Sequence, residues 1–243
     1  MLFQSFDVCF AQNQETKKYL KYLGAKKIKF LGNLKFSESK SQKDYSFDYK
    51  FKKIFKNKKI WCAASTHNTE EKISALAHKK LRNKYKNLLT IIIPRHIQRT
   101  NQIINEIKDL NLKVETRSSC YKVSKNTDVY LVDSYGETKS FYKICKTVFL
   151  GGSIINHGGQ NPLEPARFGC KILHGPHVQN FSEVYKFLEK NKLSSKFYNT
   201  GQLVNSIKQS FIAKKKSNNK IIKLKKMGIN ILNKTFKEIN YYL

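Results

Sequence analysis

Short apolar runs alternate along the chain with longer stretches in which apolar residues repeat at helical spacing. Runs of four to six apolar residues are typical of parallel strands buried on both faces, and the longer pattern is typical of amphipathic helices. We predict strands at 28–31, 59–64, 88–93, 112–116, 128–132, 147–150 and 171–173, and helices at about 68–84, 98–110, 138–145, 162–168 and 182–190. This alternation predicts an α/β fold with a Rossmann-like, doubly wound parallel sheet.

Two segments differ from this pattern. Residues 39–58 are polar and are typical of a linker or surface segment, whereas residues 214–243 are Lys-rich with apolar residues at roughly helical spacing. The second segment predicts a basic amphipathic helix, which either packs against its own fold or lies on an anionic membrane; the sequence leaves both open. The predicted regions are therefore 1–38, 39–213 and 214–243.

The composition is that of a globular protein with an extreme positive charge. The formal net charge is +30, with 42 Lys and 5 Arg residues. Such a field attracts polyanions, namely nucleic acid, anionic lipid or phosphorylated substrates. Lys, Asn, Ile, Phe and Tyr are abundant together and share AT-rich codons, so codon bias is an alternative source of the excess. Both explanations stay open.

The cysteine pattern argues against metal and disulfide chemistry. The five cysteines are scattered and include no Cys-x-x-Cys pair, so we expect neither a zinc site nor a disulfide framework, and a reducing cytoplasm fits best. No apolar run reaches the roughly 18 residues that a membrane span needs.

The richest candidate for ligand chemistry is the segment 151–166. Gly151 and Gly152 follow an apolar strand, and we expect their backbone to approach a ligand and offer it N–H groups. Asn161 is a suitable N-cap and Pro162 suits the first helical position, so a helix start follows the glycines. A helix start of this kind is a natural anion site, and Glu164 in its first turn is placed to bind ribose hydroxyls. An ordinary capped turn is the alternative.

Three more predicted strands end in polar or charged residues. Because ligands bind outside the carboxyl ends of parallel strands, we expect these ends to converge on one edge of the sheet. Each of these strand ends could instead be an ordinary surface turn. Their convergence on one edge is stronger evidence for a binding site than any single one of them. The residues are Ser65, Thr66 and His67; Pro94, Arg95 and His96; and Tyr135, Gly136 and Glu137.

Seven motifs occur in a characteristic order: GNLKF (32–36), STH (65–67), PRH (94–96), DSYGE (133–137), GGS (151–153), GGQNPLEPA (158–166) and GPHVQNF (175–181). In order and spacing they resemble the bacterial transferases of 3-deoxy-D-manno-octulosonic acid (Kdo), over about residues 7–190. The resemblance implies the C-terminal domain of a GT-B glycosyltransferase. It also implies transfer of Kdo from CMP-Kdo to lipid A precursor at the cytoplasmic face of the bacterial inner membrane, with no metal and no cofactor.

The resemblance also implies residue roles. CMP is expected to be held by Pro94, Arg95, Tyr135, Gly136, Glu137, Asn161, Pro162, Leu163 and Glu164. Lys35 falls at the position of a transition-state-stabilising basic residue. Ser65, Thr66 and His67 are candidates for contact with the donor sugar. Tyr135 departs from the Met expected at its position, which alters packing on cytosine.

The resemblance covers only the donor half of the family. Residues 1–38 are expected to be the remnant of an N-terminal acceptor domain and its linker, and that domain's catalytic Glu base is expected to be absent. Donor binding without acceptor activation is therefore expected, unless a separate chain supplies the N-terminal domain. A non-catalytic nucleotide-sugar-binding remnant is one alternative. A basic nucleic-acid-binding module is another, although no RRM, KH or helix-turn-helix signature is present, so nucleic acid is not an expected partner.

Overall fold

The structure, a computed structural model, describes residues 2–37, 55, 57–119, 123–213 and 219–242. The chain divides into two compact units, Met1–Gln42 with Ser217–Leu243, and Lys43–Lys216. Most of the predicted linker 39–58, and residues 214–218 of the predicted C-terminal helix, lie outside the described residues. The predicted boundaries at 38/39 and 213/214 remain predictions.

The elements follow one another in the order expected of alternating strands and helices. The strands are β1 Cys9–Ala11, β2 Ile28–Phe30, β3 Lys59–Thr66, β4 Leu88–Pro94, β5 Val114–Thr116, β6 Val129–Leu131, β7 Thr147–Leu150, β8 Lys171–His174 and β9 Ser194–Lys196. The helices are α1 Gln14–Tyr22, α2 Glu70–Arg82, α3 Thr100–Lys108, α4 Thr138–Ile144, α5 Leu163–Arg167, α6 Ser182–Lys190, α7 Thr200–Ile212 and α8 Asn219–Ile239.

The smaller unit joins the start of the chain to its last helix. Strands β1 and β2 pair in parallel, and α1 connects them. Helix α8 packs on the 3-10 turn Leu34–Phe36 at Gly228, where an added Cβ would lie 2.1 Å from the Phe36 carbonyl oxygen. Glycine at 228 therefore permits the close approach of helix and turn. Lys29 forms an ion pair with Glu238 of α8.

The larger unit contains a seven-stranded, wholly parallel sheet in the order β5-β6-β4-β3-β7-β8-β9. Its first strand, β3, lies inside the sheet, and the chain builds outward from it, first through β4 and later through β7. The topological switch point therefore lies between β3 and β7, where doubly wound folds bind ligands. The predicted fold class is confirmed.

The sheet is buried on both faces because its strands are almost continuously apolar. Every residue of β4 is buried, and so is every residue of β7. On one face, Trp61 and Ala63 of β3 pack with residues of α2, α3 and α7 in one hydrophobic cluster. On the other face, Phe141 of α4 contacts Tyr130 of β6. Helices thus cover both faces, as a parallel sheet requires.

Within the described ranges, four strands and α-helices were not predicted from the sequence pattern: β1, α1, β9 and α7. All the predicted strands and helices that fall among the described residues are present, with ends shifted by at most a few residues. Within those residues, no helix combines the length and the apolar character that crossing a bilayer would require.

Candidate functional site

The loops after β3 and β4 lie side by side at the carboxyl edge of the sheet. Thr66 is the register partner of Pro94, and the Arg95 N–H donates to the Thr66 carbonyl at 2.9 Å. The register shifts between Ala64 and Thr66 because Ser65 adopts a left-handed conformation with φ 54°. The predicted groups 65–67 and 94–96 are therefore adjacent, and Arg95 is exposed at this edge.

Three histidines gather at the same edge. The His67 ring lies 4.3 Å from the His157 ring and 5.6 Å from the His96 ring, measured between centroids. The Gln160 side chain approaches His67 with 3.5 Å between the two nitrogens. His67 is buried, whereas His96 and His157 are exposed. The loops after β3, β4 and β7 thus contribute imidazoles to one cluster.

Burial and positive neighbours keep His67 neutral. Burial first, and then the charges of His157, His96, Arg95 and Arg99, together lower the pKa of His67 to about 4. These basic groups lie where the doubly wound sheet presents its ligand edge. Arg99 is paired there with the buried Glu71 carboxylate at 3.0 Å, whereas the Arg95 guanidinium is exposed. Within the described residues, no group of three or more His, Cys, Asp or Glu side chains is arranged to hold a metal ion.

The glycine loop after β7 is bonded internally, which corrects the expectation that its N–H groups face a ligand. The Gly151 N–H donates to the Ala64 carbonyl at 2.9 Å. The N–H groups of Gly152, Ser153 and Ile154 all donate to the Glu70 carboxylate, at 2.7, 3.1 and 2.9 Å. A side chain thus occupies the anion position that the glycines create. The sequence showed Glu70 only as an acidic residue in the first turn of α2.

Glu137 is held by an arginine that the sequence reasoning missed. Arg117 binds its carboxylate with Nε at 3.0 Å and Nη2 at 2.7 Å, and Ser134 donates to the same group. Although burial opposes ionisation, these bonds lower the pKa of Glu137 below its ordinary value. Glu137 is therefore an ionised anchor for Arg117. Arg117 follows the short strand β5 and belongs to no motif. The only sequence signal that could have singled it out is that arginine is rare among the basic residues of this chain.

The turn 161–164 leads into a helix that is shorter than predicted. The helix, α5, has five residues and begins at Leu163, so Pro162 is its N-cap rather than its first residue. The Asn161 side chain still accepts from the Leu163 N–H at 3.1 Å and so bonds the start of the helix. Glu164 forms an ion pair with Lys139 of α4 at 3.5 Å. Lys139 lies two residues after Glu137, so the loops after β6 and β7 also meet.

The remaining predicted residues differ in their surroundings. Tyr135 is 67% exposed, and the adjacent Gly136 has φ 86° with open space around it. Pro162 and Leu163 are buried. Lys35 lies exposed in the 3-10 turn of the smaller unit. Which of these side chains contact a ligand stays a prediction.

A parallel sheet wound outward in both directions from β3, with basic and polar loops at its switch point, defines a Rossmann-like, doubly wound α/β domain, a class that binds its ligands at that edge. Comparison with solved structures agrees. The C-terminal CMP-Kdo binding domain of WaaA from Acinetobacter baumannii superposes with a TM-score of 0.63 at 25% identity, covering 75% of this chain and 97% of that domain. The S. aureus MnaA-UDP co-structure shares the fold, with a TM-score of 0.56 at 12% identity over 99% of this chain and 62% of that one.

Curated relatives narrow the class. The 3-deoxy-D-manno-octulosonic acid transferase of Haemophilus influenzae is 36% identical over 163 residues, which is 67% of this chain and 38% of that protein. The transferase of the same name from Aquifex aeolicus is 29% identical over 215 residues, 88% of this chain and 57% of that protein. No family model matches the chain.

The chain is thus a homologue of the bacterial Kdo transferases and matches them as a C-terminal half. It spans about half the length of the curated relatives it matches. These similarities favour a domain of the glycosyltransferase family over a nucleic-acid-binding module.

Proposed function

We propose that this chain is the donor-binding half of a glycosyltransferase that transfers Kdo from CMP-Kdo. The observation that carries the proposal is the exposed Arg95 guanidinium at the carboxyl edge of the sheet, beside the histidine cluster of His67, His96 and His157. A nucleotide monophosphate joined to a sugar acid carries two anionic groups, which the positive charge of Arg95 attracts.

The proposed binding mode follows from which groups are already occupied. Because Glu70 takes the amides of the glycine loop, the phosphate is assigned to Arg95, whose planar guanidinium is exposed at the end of β4. The start of α5 contributes a weaker partial charge, since the helix has only five residues. Tyr135, Gly136 and the turn 161–164 are assigned to the nucleoside.

The chemistry assigned to these residues is leaving-group stabilisation. As the bond between the sugar and the phosphate oxygen breaks, CMP gains negative charge, and a fixed arginine stabilises that charge without reorganisation. Neutral His67 and Ser65 are assigned to the sugar. Lys35, which lies in the smaller unit, keeps only the role that the resemblance implies for it, stabilisation of the transition state.

Calorimetric titration of the full chain with CMP tests the proposal. Arg95→Ala is expected to weaken CMP binding by about tenfold or more, because one charge-assisted contact to phosphate is lost. The melting temperature should change little, since Arg95 is exposed. Arg82→Ala is the matched control, because Arg82 pairs with Asp128, which precedes β6 at the opposite edge of the sheet. Absent CMP binding, or equal binding by wild type and Arg95→Ala, would refute the proposal.

Acceptor and location complete the proposal. Lipid A precursor is the proposed acceptor, the cytoplasmic face of the inner membrane is the proposed location, and an acceptor-binding domain, on the same or a separate chain, is the proposed source of the base. Support for membrane contact comes from α8, where Lys225, Lys226 and Lys237 are exposed beside the exposed apolar residues Ile222, Ile229 and Phe236. Basic amphipathic helices of this kind bind anionic bilayers.

A further inference from the structure

We propose that Glu70 is a positioning residue for the donor site: a built-in carboxylate that fixes the loop after β7 and couples it to the loop after β3. The inference rests on the proposed function where it concerns CMP and on the structure alone where it concerns the loop. It begins from burial, because the Glu70 side chain is completely buried, with a relative exposure of 0%. A carboxylate is rarely buried unless its oxygens are bonded.

Backbone N–H groups bond both oxygens of Glu70. Oε1 accepts from Ser153 at 3.1 Å and from Ile154 at 2.9 Å. Oε2 accepts from Gly152 at 2.7 Å and from His67 at 2.9 Å. Two oxygens offer about four lone-pair positions, so these four bonds saturate the group. Glu70 is consequently unable to take a proton from an acceptor or to bind ligand hydroxyls, and a positioning role remains.

The four bonds join two loops that belong to different strands. His67 lies in the loop after β3, whereas Gly152, Ser153 and Ile154 follow β7. Strands β3 and β7 are neighbours at the switch point, so Glu70 joins the two loops between which a doubly wound fold binds its ligand.

The joined loops are tightly packed. An added Cβ at Gly151 would lie 2.3 Å from the Ser65 carbonyl oxygen and 2.7 Å from Oε2 of Glu70. Gly152, with φ 64°, packs against His67, His157 and Gln160. Movement of this loop therefore moves the histidine cluster with it.

The end of β3 and the loop after it also contain strain that Glu70 helps to hold. Ser65 and Thr69 have φ values of 54° and 76°, which lie in the left-handed region that non-glycine residues rarely adopt. Such conformations persist only where surrounding bonds determine them. The His67 N–H bond to Glu70 lies between these two residues, so it secures the strained turn.

The test compares full-length wild type, Glu70→Gln and Ile207→Val. Glutamine has nearly the shape of glutamate but only one acceptor oxygen. Its NH₂ group is a donor and cannot accept from the backbone N–H groups that it would face. Ile207→Val is the matched control, since Ile207 is fully buried on α7, outside both loops. Hydrogen–deuterium exchange of residues 151–156 reports the loop, and calorimetry with CMP reports the site.

We expect Glu70→Gln to accelerate exchange in 151–156 by about tenfold and to weaken CMP binding by about tenfold, because each lost charged bond leaves a buried N–H unsatisfied. Ile207→Val is expected to do neither, although it lowers the melting temperature. Unchanged exchange in Glu70→Gln, equal acceleration in both variants, or faster exchange with unchanged CMP affinity would each overturn the inference.

Two further outcomes remain decisive. If Glu70→Gln does not fold, wild-type exchange decides: strong protection of the 152–154 amides supports the inference, and exchange at the rate of an exposed loop overturns it. If wild type does not bind CMP, the proposed function fails, while the exchange result still decides whether Glu70 fixes the loop.

Discussion

Single residues determine the electrostatic character of the candidate site. His67 is buried among basic groups and stays neutral, whereas Arg95 carries a permanent charge at the exposed end of β4. Glu137 is ionised because Arg117 and Ser134 bond it. One edge of the sheet therefore combines a fixed cation, a neutral imidazole and an anchored carboxylate, which suits recognition of a phosphate beside a sugar.

The lowered pKa of His67 predicts how stability depends on pH. The unfolded chain takes up a proton near pH 6.5, whereas the folded chain does so only near pH 4, so the unfolded state binds more protons between these values. The free energy of unfolding should therefore fall as pH drops from about 6.5 to 4, by at most about 1.4 kcal/mol per pH unit for this one proton. Burial also lowers the pKa of His78 and of His174, which add to the slope.

Urea unfolding of wild type and His67→Gln between pH 4 and 7 isolates the contribution of His67. The variant should lose stability less steeply as the pH falls, because glutamine does not titrate. Equal slopes for the two proteins would show that His67 is protonated in the folded chain as readily as in the unfolded one.

Helix α8 presents two faces with different surroundings. Leu224, Gly228, Ile231 and Thr235 are buried, whereas Ile222, Ile229 and Phe236 are exposed at a spacing of seven residues. Seven residues make nearly two helical turns, so the exposed apolar residues form one stripe, opposite the buried face. The sequence left open whether α8 packs on its fold or lies on a membrane; the buried face confirms packing and leaves the stripe as the surface proposed for the bilayer.

Flotation with lipid vesicles tests that stripe. The chain should bind vesicles containing phosphatidylglycerol. Ile229→Asp should weaken that binding by about tenfold, since a charge replaces an apolar side chain that the bilayer would bury. Asn230→Asp adds the same charge at the next position, off the stripe, and should retain most of the binding. Equal loss in both variants, or equal binding to vesicles of phosphatidylcholine alone, would contradict the proposed bilayer contact.

Elements with a strong apolar pattern were predictable, and elements defined by their neighbours were not. The run 147–150 matches β7 because its residues are apolar and buried on both faces. Strand β9 is Ser-Ser-Lys, so its own sequence carries no strand pattern and its pairing with β8 defines it. Helix α1 has no buried residue, which explains why no apolar periodicity predicted it.

At the scale of the whole molecule, the sequence predicted which loops converge but not how they are bonded. The strand-end motifs do meet at one edge, since Arg95 bonds Thr66 and Glu164 pairs with Lys139. Glu70 and Arg117 lie outside those motifs, and their roles depend on contacts across 82 and 20 residues of sequence. Local sequence patterns do not encode such distant pairs. Only the structure shows that the Glu70 carboxylate occupies the N–H groups of the glycine loop.

The net charge of +30 gives the molecule a general affinity for polyanions, against which a specific donor site must be distinguished. Binding by charge alone weakens steeply with salt and does not depend on any one residue. The proposed donor site, at Arg95 and the loops after β3, β6 and β7, would instead bind one nucleotide at one place.

A crystal structure of the chain with CMP tests that claim most directly. The phosphate should lie within hydrogen-bond distance of the Arg95 guanidinium, at the carboxyl edge of the sheet, with the nucleoside against Tyr135, Gly136 and the turn 161–164. CMP bound elsewhere, or bound at this edge with its phosphate away from Arg95, would contradict the account.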